Sequence, residues 1–168
     1  MMTDQPVPVL IVGGGPVGLA LAIECGLRNI QCVLVEQGDG KLHVPRMSSV
    51  SGRGMEFCRR WGIVDEVRAV WPPTHPMDFV YVTNMIGEEL ARTKIASYQQ
   101  RARNLDYSPE GSCTCPQIFF DPILAEKAKS LPGIEIRYRT RVETFEQDFD
   151  AVHAQLVNRD TGDAEMLS

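Results

Sequence analysis

The chain has 168 residues, 43% of them hydrophobic and 23% charged, and a formal net charge of −5. Those figures fit one ordinary globular domain, and the negative balance argues against a broad phosphate-neutralising surface for nucleic acid. No apolar run approaches the roughly 20 residues of a membrane span, and the apolar stretch at 7–12 is too short for a signal peptide.

Residues 7–12 are short, β-branched and apolar on both faces, as in a strand covered on both sides. The turn "GGGP" follows, and Pro16 can open a helix because its missing N–H would be unpaired there anyway. Apolar residues then recur at helical spacing over 17–27, Asn29 closes the segment, and 31–35 reads as a second strand. This is the beginning of a βαβ unit.

A loop is expected over 37–45, with two glycines and a proline. "SGRGMEFCRRWGIVDEVRAV" reads as two short helices broken at Gly62, and "WPPTHP" is a hinge that cannot be helical. Residues 78–83 and 89–95 have the pattern of a hairpin around "NMIGE", followed by a polar loop at 101–115. Asp121 is placed to cap a helix opening at Pro122 and ending at "LPG". Strands are expected at 134–138, 142–149, 151–158 and 164–167, with the last two joined across "RDTGD". The helix at 122–130 and the strand at 134–138 would return the chain to the first sheet. A three-stranded parallel core results, with the pieces between 37 and 116 inserted as a second lobe.

Gly13, Gly15 and Gly18 form G-x-G-x-x-G between a predicted strand and a predicted helix. The first glycine allows the tight turn, the second lets backbone approach a pyrophosphate, and the third lets helix and strand pack closely. Glu36 ends the next strand, where a carboxylate can accept hydrogen bonds from a ribose diol. It also disfavours a phosphate on that ribose. NAD and FAD both remain compatible with this unit.

Three stretches in order, "VLIVGGGPVGLALAIECGLRNIQCVLVEQ", "PRMSSVSGRGMEFCRRWGI" and "CPQIFFDPILAEKA", resemble the single-component flavoprotein aromatic hydroxylases of the p-hydroxybenzoate hydroxylase type. The resemblance runs from Pro8 to about Val142 and implies an α/β fold. Its parts are a Rossmann-like FAD-binding βαβ with a parallel sheet, inserted strands and a β-meander, incomplete relative to the family. It implies an N-terminal part of the FAD-binding domain over 1–168, with about 72–116 belonging to the substrate-domain lobe and 142–168 forming the meander. It selects FAD. The cofactor-binding residues it implies are Gly13, Gly14, Gly15, Pro16, Val17, Gly18, Glu36 and Gln37, with Arg46 near the diphosphate and Gln117 reaching the cofactor from just before the helix. Arg53 is a weaker match. The alternatives are a solvated loop arginine for Arg46 and a polar residue satisfying loop backbone for Gln117.

Family chemistry is reduction of FAD by NADH or NADPH, activation of dioxygen, and insertion of one oxygen atom into an aromatic, phenol-type ring. Small aromatic substrate and dioxygen are the expected partners, with a homo-oligomer possible and no nucleic acid or membrane. No catalytic acid or base can be assigned. The two later flavin motifs of the family are absent, "TGDA" at 161–164 being read as ordinary turn residues. The chain is therefore expected to be a fragment, inactive by itself, with an open edge on its first strand and a tendency to self-associate. The competing readings are an NAD-dependent dehydrogenase domain and a non-catalytic dinucleotide-binding module. Five cysteines and the scattered His43, His75 and His153 show no metal-ligand spacing, so reduced thiols in a cytoplasmic protein and no metal are expected. Arg137, Arg139 and Arg141 alternate as on one strand face and are read as solvated, Trp61 and Trp71 as core packing, and Phe79, Tyr81 and Met85 as hairpin packing or a pocket lining.

Overall fold

The computed structural model describes residues 7–42, 44, 46–72, 74–102 and 107–168. His43, Pro73 of the hinge and residues 103–106 of the polar loop lie outside the described residues. The chain divides into two compact units, one formed by residues up to Val44 together with Phe120–Ser168, the other by Pro45–Phe119.

In the first unit, β1 (Val9–Val12) leads through α1 (Pro16–Leu27) to β2 (Cys32–Glu36). Pro16 does open the helix, and Asn29 leaves it in the left-handed region at φ 56°. β2 is buried along nearly its whole length. Val33 and Val35 face one way and Cys32 and Leu34 the other, as strand alternation requires.

The other elements of the chain follow in sequence. β3 (Ser49–Val50), α2 (Gly52–Trp61), α3 (Val64–Ala69), β4 (Phe79–Val82), β5 (Glu89–Thr93), α4 (Tyr98–Ala102) and β6 (Cys113–Thr114) belong to the second unit. α5 (Gln117–Lys129) returns to the first unit, where β7 (Ile134–Tyr138), β8 (Thr140–Gln147), β9 (Val152–Asn158) and β10 (Ala164–Leu167) complete it.

β1, β2 and β7 form a parallel sheet in the order β1-β2-β7, registered Ile11 to Leu34 and Leu34 to Ile136. β8, β9 and β10 form an antiparallel meander whose Ala154 and Leu156 pack on Val33 and Val35. The sheet is thus covered on one face by the meander and on the other by α1, which buries Leu19, Ala22 and Ile23. Each fully buried aliphatic side chain in this sandwich contributes about 1.5–3 kcal/mol relative to exposure. β1 lies at the sheet edge among the described residues. Beside it runs an apolar cleft of about 580 Å³ lined by Leu10, Val12, Val142, Phe145 and Leu167.

The second unit is centred on α2 and α3. Ser51 caps α2 by accepting the Gly54 N–H at 3.2 Å, and Gly62 ends it at φ 77°, the break the sequence requires. Met55, Cys58, Trp61, Ile63 and Val67 are buried, with Trp61 stacked on Phe57 at 5.5 Å. Glu110, 4% exposed, pairs with Arg68 and lies 3.8 Å from Arg59. The β4–β5 hairpin exposes Phe79, Tyr81 and Met85, so these side chains are not packed in a core of this chain.

Three expectations need correction. The helix begins at Gln117 rather than after Asp121, and Pro122 lies inside it. The missing Pro122 donor would have paired with the Ile118 carbonyl, a single loss that the already wound first turn tolerates. The polar loop at 101–115 contains the short strand β6, which pairs antiparallel with β3. Arg137, Arg139 and Arg141 do not share one strand, because Arg139 turns the chain between β7 and β8 at φ 54°. Arg137 pairs with Glu135 and Glu165, and Arg141 with Glu143, which is the behaviour of a solvated face.

All five cysteines are buried free thiols, and burial pushes Cys32 and Cys58 up to about 11. "TGD" forms the β9–β10 turn, with Gly162 at φ 79° and the Asn158 side chain accepting from the Asp160 and Thr161 N–H groups. No helix among the described residues is long and apolar enough to cross a membrane.

Candidate functional site

The turn between β1 and α1 is built by its glycines. Gly13 sits at φ 109°, which an L side chain rarely adopts, and its N–H donates to the Val35 carbonyl at 2.8 Å. A Cβ on Gly18 would lie 2.0 Å from the Gly13 carbonyl oxygen and 3.3 Å from Ile11 Cγ2. The third glycine therefore lets α1 sit directly on the turn. Gly15 is different: a Cβ there would meet nothing within 4 Å. Its backbone faces open space.

Gly15 is also the N-cap of α1, with no side-chain cap and no acid in the first turn. The first intrahelical bond runs from the Leu19 N–H to the Gly15 carbonyl. Gly15, Val17 and Gly18 thus carry the N–H groups that a helix start leaves without intrahelical partners, while Pro16 contributes none. These donors and the positive end of the helix dipole make a corner suited to an anion. The space in front of Gly15 and the absence of a competing carboxylate in the first turn fit a diphosphate.

Glu36 does more than the sequence indicates. Its Oε2 accepts the Gly14 N–H at 2.8 Å and its Oε1 accepts the Gly38 N–H at 2.6 Å. The carboxylate ties the phosphate turn to the loop after β2. Gly14 must be glycine for this, because a Cβ would come within 2.9 Å of Glu36 Cβ. A carboxylate has about four lone-pair sites, so both oxygens retain acceptor capacity for a diol. Gln37 is exposed, and its carbonyl accepts from Arg159 Nη1 at 3.1 Å, while the Gly38 carbonyl accepts the Arg139 N–H at 2.8 Å. Sequence reasoning missed Gly38, Arg139 and Arg159 as braces of this loop. Only Gly38, directly after "EQ", left a signal.

Gly13 to Gly18, Glu36 and Gln37 are thus brought together in the first unit. Arg46 and Gln117 belong to the second unit and are bonded to each other: the Arg46 N–H donates to Gln117 Oε1 at 3.0 Å. The Gln117 N–H in turn donates to the Met47 carbonyl at 3.0 Å. Gln117 is 8% exposed and is the first residue of α5, and the Arg46 side chain is exposed with no ion pair among the described residues. Arg53 spends its guanidinium on Glu56 at 2.5 Å and on the Phe57 ring.

Residues 6–168 match the family described as FAD binding domain. The chain belongs to that family. The domain is 33% identical to phenol 2-monooxygenase of Pseudomonas sp. (strain EST1001), an alignment covering 92% of this chain and 26% of that protein. It is 31% identical to tetracenomycin B2 monooxygenase-dioxygenase of Streptomyces olivaceus, over 93% of this chain and 31% of that protein. Among solved structures, the rebeccamycin biosynthetic enzyme RebC with reduced flavin superposes with a TM-score of 0.84 at 37% identity, over 97% of this chain and 31% of that one. The flavin-dependent monooxygenase PieE in complex with FAD and substrate gives a TM-score of 0.82 at 30% identity, over 99% and 29%. The FAD-binding domain therefore spans about a third or less of the length of these relatives. The α/β fold and the likeness to aromatic hydroxylases expected from the sequence both hold.

Proposed function

We propose that this chain supplies the FAD-binding part of a flavoprotein monooxygenase that hydroxylates a phenol-type ring with NADH or NADPH and dioxygen. The observation that carries the reading is the uncapped start of α1 behind the Gly13–Gly15 turn, locked in place by Glu36. Gly15, Val17 and Gly18 would donate N–H groups to the diphosphate, and Glu36 would accept from the adenosine ribose beside Gln37. Arg46, whose guanidinium is held by no carboxylate among the described residues, would add a fixed positive charge and a forked donor to the phosphate oxygens. Bound FAD would supply the redox chemistry, and the chain's own residues bind and orient it. Residues 72–116 would belong to the lobe that meets the substrate, and 142–168 would be the meander that braces the cofactor sheet.

The named relatives support this reading. Phenol 2-monooxygenase and 2,4-dichlorophenol 6-monooxygenase are named for action on phenols, and PieE was solved with FAD and substrate. The test has two parts. Titration with FAD, followed by quenching of flavin fluorescence, should give saturable binding. NAD(P)H oxidation with and without a phenol, in a protein carrying this domain at full relative length, should be stimulated by the phenol. Saturable FAD binding without stimulated oxidation in that longer protein would leave a dinucleotide-binding module instead.

A further inference from the structure

Among the described residues, the segment that carries Arg46 is bonded to β6 and to the start of α5. Ser49 and Val50 of β3 pair with Thr114 and Cys113 of β6, and just before β3 the Met47 carbonyl accepts the N–H of Gln117 at the start of α5. The Arg46 N–H is taken by a side chain: Gln117 Oε1 at 3.0 Å, 71 residues away in sequence. Gln117 thus grips the Arg46–Met47 step at two points, with its own N–H on one carbonyl and its carboxamide oxygen on the preceding N–H. Because the Arg46 N–H is a donor, only the carboxamide oxygen can meet it, which fixes the orientation of the amide group. The amide is buried, whereas the Arg46 guanidinium is exposed.

We infer that Gln117 is a positioning residue for Arg46: it acts on the cofactor by fixing the backbone from which the guanidinium projects, and its carboxamide oxygen is not a cofactor contact. The inference rests on the reading that places Arg46 at the FAD diphosphate. An exposed arginine has many rotamers, and its grip on a phosphate depends on where its Cα is held. Gln117 removes the backbone freedom and leaves only the side chain to be ordered on binding.

Four proteins separate the possibilities: the natural chain, Gln117→Met, Arg46→Ala and the double variant. Methionine keeps nearly the same volume and removes the acceptor, so α5 retains its packing. FAD is the probe, its affinity read by fluorescence quenching, with near-ultraviolet circular dichroism to verify folding. Gln117→Met should weaken FAD binding about three- to tenfold, the scale of one hydrogen bond. In the Arg46→Ala background the same change should have less than about a twofold effect, because the group it positions is gone. Amide exchange at Arg46 in FAD-free protein should quicken by a similar factor in Gln117→Met. In Gln117→Glu, which retains an acceptor oxygen, it should not.

Equal losses of affinity from Gln117→Met in both backgrounds would mean that Gln117 meets the cofactor directly, and would overturn the inference. Unchanged affinity or unchanged Arg46 exchange in the single Gln117→Met variant would overturn it as well. If Gln117→Met unfolds the chain, Gln117→Glu decides: rapid Arg46 exchange there refutes the bond, and retained protection upholds it. A different pattern, in which Arg46→Ala alone leaves FAD affinity unchanged, would instead remove the assignment of Arg46 and this inference with it.

Discussion

Replacing Glu36 separates two roles that the structure assigns to one carboxylate. Oε2 and Oε1 accept the Gly14 and Gly38 N–H groups at 2.8 and 2.6 Å, before any cofactor is considered. A hydrogen bond to a charged group contributes about 1.5–3 kcal/mol, and Glu36 is partly exposed, so about 1.5 kcal/mol per bond is the appropriate scale. In Glu36→Ala both amides lose their acceptor, and their hydrogen exchange in FAD-free protein should quicken by roughly tenfold. In Glu36→Gln a single acceptor oxygen remains, so one amide should stay protected while the other is exposed to an NH₂ group. FAD binding should suffer separately. The ribose diol loses a charged acceptor worth about 1.5–3 kcal/mol, or roughly ten- to hundredfold in affinity. Amide-resolved exchange and FAD titration on the same preparations distinguish the two effects. Unchanged exchange at Gly14 and Gly38 in Glu36→Ala would refute the clamp, and unchanged FAD affinity would refute the ribose assignment.

Other outcomes follow from the same geometry. Arg46→Lys should recover part of the FAD affinity that Arg46→Ala loses, since a point charge survives and the fork does not; equal affinity of all three proteins would return Arg46 to a solvated loop residue. Gly18→Ala would put a Cβ 2.0 Å from the Gly13 carbonyl, so the helix must lift off the turn. A cost of about 1–3 kcal/mol in denaturant unfolding, with weaker FAD binding, is expected, and an unaffected midpoint would contradict the close approach. Asp148 is pulled down to about 2 by its bond to His153, and further by the Ala151 and Asp150 N–H groups. A carboxyl depressed in the folded state stabilises above its ordinary value near 4 and loses that contribution as pH falls towards 2. Relative to the unfolded-chain rate at each pH, protection of the Asp150 and Ala151 amides should therefore fall over that window, and Asp148→Ala should abolish that fall; a protection profile that is the same in both proteins would contradict it.

The β1-α1-β2 unit was legible because each of its signals is local. Gly13, Pro16 and Asn29 have steric reasons to stand where they do, and the period changes from two to 3.6 between them. The return of β7 to the parallel sheet was legible from topology, since a helix between two apolar strands has few other places to go. The β3–β6 pairing was not, because two-residue strands carry no periodicity. The start of α5 was hidden by Pro122, which imitates a helix opening one turn too late. At the site, residue types gave the glycine turn and the acid. They left open a loop-backbone role for Gln117, but they did not give Arg46 as its partner or the engagement of Glu36 with Gly14, because each joins positions far apart in sequence through single atoms.

The most direct measurement is a comparison of FAD and NAD⁺ on the same protein. Flavin fluorescence should be quenched on titration with this chain, and NAD⁺ in large excess should displace little of the FAD. Saturable FAD binding that weakens in Glu36→Ala and in Arg46→Ala is the result the account requires. Binding of NAD⁺ as tight as that of FAD, or FAD affinity indifferent to both substitutions, would contradict it.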